Sequence, residues 1–107
     1  MQKLLKNQPD ITAVFASSDV QAVGAWQAIR ESEHSVPEDF ALVGYDDIKI
    51  SRFIGLSSVA QNMHQVGEDA AEALLRRLKG EEFPFISERV QPELHVRKSS
   101  NYIRSTA

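Results

Sequence analysis

The chain has 107 residues, 42% hydrophobic and 25% charged, with 12 basic against 15 acidic side chains and no cysteine. A chain of this length supports one modest core, burying somewhat under about 70% of its unfolded surface, and the composition is that of a folded globular protein. A net charge of −3 disfavours a nucleic-acid surface, the lack of cysteine excludes disulfides and thiolate metal sites, and no apolar run approaches the roughly 20 residues needed to span a bilayer.

Met1-Gln2-Lys3-Leu4-Leu5-Lys6 is too short and polar for a secretory signal and resembles the last turns of a helix, so a cytoplasmic chain is expected. Ile11 to Ser17 is an apolar run rich in β-formers, left through Ser17, Ser18 and Asp19, whose side-chain oxygens can cap the free amides of a helix. A strand running into a helix is predicted. Ala22, Ala25, Trp26 and Ile29 then recur at helical spacing, which predicts an amphipathic helix of about four turns ending before Pro37.

Phe40 to Tyr45 is a second apolar run, broken by Asp46 and Asp47, as expected of a strand covered on both faces in a parallel sheet. Strand, helix and strand make a right-handed βαβ unit. Its ligand-facing loops lie at the carboxyl ends of the strands, here Ser17 to Asp19 and Asp46 to Ile48. Lys49 to Gly55 reads as a looser stretch and Leu56 to Gln61 as a short strand. Beyond it, Met63, Val66, Ala70, Leu74 and Leu78 form the stripe of the clearest helix. Asn62 and Gln65 stand at capping-box spacing, Glu72 lies one turn before Arg76, and Gly80 is placed to end the helix. After a loop through Phe83, Pro84 and Phe85, the segments Ile86 to Val90 and Leu94 to Arg97 read as short strands, and the tail from Ser99 as polar and frayed.

The carboxylates Asp19, Asp46 and Asp47 fall at strand ends, where oxygen ligands could hold Mg²⁺ for phosphoryl transfer. The simpler account has Asp19 capping a helix and Asp47 facing water, leaving Asp46 alone to explain. His34, His64 and His95 lack metal-ligand spacing, and no nucleophile-elbow or phosphate-loop pattern follows either strand, so no metal or cofactor is expected. Arg76, Arg77 and Lys79 cluster at a helix C-terminus, where they complement the helix dipole. Trp26, Phe15, Phe40, Tyr45 and Phe53 could stack on a sugar ring, but core packing explains most of them equally well. Phe53 is different: with Ile48, Ile50 and Ile54 it forms an apolar patch suited to a partner surface.

The pieces ITAVFASSDVQAVGAWQAI, VPEDFALVGYDDI, LSSVAQNMHQVGEDAAEALLRRLKG and PELHVRKSS, in that order, resemble the LacI/GalR family of repressors from Thr12 to Ser100. The resemblance implies an α/β fold, a parallel-sheet, Rossmann-like lobe of a type I periplasmic-binding-protein fold, in which two lobes enclose a small effector. Residues 1–60 would belong to the C-terminal lobe, 62–88 would pack on the N-terminal lobe, and 93–99 would return to the C-terminal lobe. Asp46 would accept hydrogen bonds from a sugar, a sugar phosphate or a purine. Ser18, where sugar-binding members often carry Asn, would face the same cleft, with Asp19 and the hinge-strand Gln61 as further contacts. Val23, Ile48, Ile50, Phe53 and Ile54 would lie at the interface of a homodimer or higher oligomer.

Some features depart from the family pattern. The loop before Leu56 is short and lacks the common proline pair, and Ser57-Ser58 stands where a threonine pair is usual. The family's helix-turn-helix and the first half of its sensor have no counterpart here, so a fragment with an internal Met1 is expected, meeting operator DNA only through a region outside it. The expected function is effector sensing and dimerisation in a sugar-responsive regulator, without catalysis or membrane contact. A periplasmic sugar-binding protein and a metal-dependent α/β enzyme are the alternatives.

Overall fold

The computed structural model describes residues 1–81 and 91–101. Its elements are α1 (Gln2–Asn7), β1 (Ala13–Phe15), α2 (Asp19–Glu31), β2 (Ala41–Tyr45), α3 (Lys49–Ile54), β3 (Ser57–Ala60), α4 (Met63–Leu78) and β4 (Glu93–His95). The strands form one sheet in the order β1-β2-β3-β4, with β1 to β3 parallel and β4 antiparallel to β3. Ala13 stands opposite Ala41 and Val43 opposite Ser57, so the carboxyl ends of the three parallel strands share one edge.

Helix α2 packs on β2 because small residues let the two backbones approach. Ala22 joins Ala16, Leu42 and Leu56 in the core, with Ala25 and Trp26 at its margin. Across from them, a Cβ on Gly44 would stand 3.2 Å from Ala22 Cβ and from Leu56 Cδ2, and would overlap Asp19 Oδ1. Ser18 starts the helix as its N-cap, its Oγ accepting from Gln21 N at 3.2 Å.

Three local expectations change. Lys49 to Ile54, read as loose, is helix α3, ended by Gly55 at φ 76°; six residues are too few for a periodic stripe to register. The capping box at Asn62 does not form, because Asn62 makes no side-chain cap and Gln65 Nε2 donates to Asp69 Oδ1 at 2.9 Å. Ser99, placed in a frayed tail, is fully buried: its Oγ donates to Leu42 O at 2.6 Å and accepts from Ser57 N at 2.7 Å. A hydroxyl that both donates and accepts can stitch two strands together, which composition does not reveal. The expected loop through Phe83 and Phe85 and the strand Ile86 to Val90 lie outside the described residues.

Helix α4 forms where the stripe predicted it. Arg76 donates to Glu72 at 2.9 Å and Gly80 follows at φ 82°. It buries none of its residues. The radius of gyration is 18.8 Å, against about 13 Å for a compact domain of this length.

Candidate functional site

Ser18, Asp46 and Gln61 follow the carboxyl ends of β1, β2 and β3, and all are partly exposed. Asp46 and Gln61 meet, with Gln61 Nε2 donating to Asp46 Oδ1 at 3.3 Å. The bond is long and engages one carboxylate oxygen. Among the described residues no other side chain donates to this carboxylate. Ser18 Oγ already caps α2, so its proton and second lone pair are what it can offer a ligand.

Asp19, predicted as a cap or a cleft contact, is neither. It is fully buried, and its Oδ2 accepts from Ile48 N at 2.9 Å and from Ser51 Oγ at 2.5 Å, while Oδ1 accepts from Ser58 Oγ at 2.6 Å. A buried carboxylate requires such partners, and they turn it from a ligand group into a structural one. Asp47 is also not solvent-facing. Its side chain is 5% exposed, with Arg97 Nη2 2.8 Å from Oδ1 and Arg52 Nη2 3.8 Å from Oδ2. The Arg97 contact is an ion pair rather than a directed hydrogen bond. Arg97 is held in turn by its Nη1, which donates to Leu56 O at 2.7 Å.

The carboxylates that suggested a Mg²⁺ site therefore have separate partners, and Asp46 is the one left open. Among the described residues no group of His, Asp and Glu is placed to hold a metal ion. Sequence reasoning did not single out Ser51, Ser58 or Arg97 for these roles. The serines that bind Asp19 lie 32 and 39 residues along the chain, and nothing in local pattern marks them.

Of the aromatic candidates, Phe15 is 62% exposed at the end of β1, whereas Phe40 is buried with His34 edge-on at 5.4 Å. Trp26 belongs to a separate groove of about 860 Å³, lined also by Val23, Arg30, Ile54 and Lys98, which does not include Asp46 or Gln61. Beside it α3 presents Phe53, 81% exposed, and Ile50, while Ile48 and Ile54 are half-buried. No helix among the described residues is long and apolar enough to cross a membrane.

Residues 1–100 match the model of the periplasmic binding protein-like domain. The chain is 37% identical over 101 residues to the ribose operon repressor of Haemophilus influenzae, covering 92% of this chain and 30% of that protein. It is also 37% identical, with the same coverage, to the HTH-type transcriptional repressor PurR of Mannheimia succiniciproducens. Among solved structures, a LacI family transcriptional regulator from Enterococcus faecium with bound ribose superposes with a TM-score of 0.84 at 28% identity, covering 96% of this chain and 40% of that one. The chain thus spans about 30% of the length of the curated relatives it matches, and those relatives are transcriptional repressors rather than enzymes. The chain belongs to the periplasmic binding protein-like domain family, and its relatives within it are LacI-family regulators.

Proposed function

We propose that this chain is the effector-sensing part of a cytoplasmic LacI-type transcriptional regulator, without enzymatic activity, and that its strand-end edge binds a small polyhydroxylated effector. The observation that carries this reading is the partly exposed Asp46 carboxylate beside the Gln61 amide, on an edge whose other carboxylates are engaged. A charged acceptor next to an amide donor matches neighbouring hydroxyls of a sugar, which both give and take hydrogen bonds. Phe15 adds an exposed ring for the C–H face of a sugar or for a purine, and Ser18 a further hydroxyl. Ribose in the Enterococcus faecium regulator supports a sugar as the effector class.

The exposed stripe of α4 supports the expectation that residues 62–88 pack on a second lobe, with 93–99 returning to the first. In this reading Val23, Ile48, Ile50, Phe53 and Ile54 form the dimer surface, and operator DNA is met outside these residues. An open edge covers one face of a ligand, so this chain alone binds its effector in the millimolar range. Titration calorimetry with ribose, cellobiose and a purine base tests the reading. A weak, saturable signal lost in Asp46→Asn is expected; binding that survives Asp46→Asn unchanged overturns it.

A further inference from the structure

Asp46 and Asp47 stand at φ 111° and 55°, where residues bearing a Cβ are uncommon. Such backbone persists when its surroundings over-determine it. Here three consecutive amides are anchored: Asp46 N donates to Val59 O, Asp47 N to Ser58 Oγ and Ile48 N to Asp19 Oδ2, each at 2.9 Å. The last two depend on Asp19. Ile48 binds it directly. Asp47 does so through Ser58, whose single hydroxyl proton goes to Asp19 Oδ1 at 2.6 Å and leaves a lone pair for the Asp47 amide. Asp19 is itself fixed by full burial, by Ser51 Oγ on Oδ2, and by Gly44, whose missing Cβ makes room for Oδ1.

We propose that Asp19, acting through Ser58, is the positioning residue of the effector site: it sets the Asp46–Asp47 backbone that holds the Asp46 carboxylate beside Gln61. This rests on Asp46 being an effector contact, and it assigns Asp19, read from the sequence as a helix cap or a further contact, to the support of Asp46. Ser51 provides the contrast. Its hydroxyl binds the same carboxylate but touches none of the three amides.

Amide hydrogen exchange and the Gln61 side-chain amide resonance, both read by NMR on the ligand-free chain, test the proposal. Ser58→Ala should accelerate exchange at Asp47 and Ile48 by about tenfold or more. It should also move the Gln61 resonance toward its position in Asp46→Ala, while Ala16 and Ala41, which bond between β1 and β2, keep their protection. Ser58→Thr should restore both readouts, and Ser51→Ala should leave Gln61 unmoved. If Ser58→Ala does not fold, Ser58→Cys, similar in size but a weak acceptor, gives the same reading. An unchanged Gln61 resonance in the Ser58 variants, or an equal change in Ser51→Ala, would mean that Asp19 merely stabilises the core, and overturns the proposal. None of these readouts requires a ligand, so they stand apart from the effector reading, which a ribose titration of wild type and Asp46→Asn decides separately.

Discussion

Helix α2 buries Asp19, Ala22 and Ile29, whereas α4, longer and more sharply divided into apolar and polar faces, buries nothing. The difference lies in what each face can reach. α2 offers small residues and a carboxylate to a strand that carries Gly44, so backbone approach and polar bonds lock it down. α4 offers Met63, Val66, Leu74, Leu75 and Leu78, a stripe wide enough to cover a surface that the described residues do not supply. An amphipathic stripe thus says that a face is to be covered, not by what.

Substitutions should fall unequally on the two regions. The largest effect is expected at Asp19→Ala, which strands the Ile48 amide and the Ser51 and Ser58 hydroxyls and should cost about 3 kcal/mol or more in urea unfolding. Leu75→Glu on α4 should change stability by about 0.5 kcal/mol at most; a loss comparable to that of Asp19→Ala would show that another copy covers α4. The glycines sharpen the contrast. Gly44→Ala should cost about 1–3 kcal/mol through overlap with Asp19. Gly67→Ala, with nothing within 4 Å of the new Cβ, should stabilise α4 by about 0.5–1 kcal/mol.

The smallest effect on stability, but a visible one on assembly, is expected from Phe53→Asp. Light scattering during size-exclusion chromatography at micromolar concentration should show a dimer or higher oligomer for wild type and a shift toward monomer for this variant. An assembly built by exchange of α4 between copies would instead survive Phe53→Asp and dissociate with charges placed at Leu74 and Leu78.

Much of this architecture was legible in the sequence because its signals are local. The apolar runs before Ser17 and Asp46 gave β1 and β2, and the spacing from Met63 to Leu78 gave α4. At the site, the rule that parallel strands present loops at their carboxyl ends pointed to Asp46, whereas Gln61 was named only through the family resemblance. What stayed hidden is non-local and polar. Asp19 resembles a cap until Ser58 folds against it, Asp47 resembles a surface residue until Arg97 arrives, and Ser99 resembles a tail until it binds Leu42 and Ser57. Ser and Asp are surface types by default, so their burial is decided by partners that no window of neighbouring residues contains.

Recognition of a small effector by the Asp46–Gln61 edge leaves a signature at the strand ends. Chemical-shift mapping of the chain during titration with ribose, cellobiose and a purine base at millimolar concentration tests it most directly. At least one of these should move the amides of Phe15 to Ser18, Asp46 and Gln61 together, and Asp46→Asn should abolish the response while preserving the fold. Shifts centred on the Trp26 groove or on α3, or no response at the strand ends to any of the three, would contradict it.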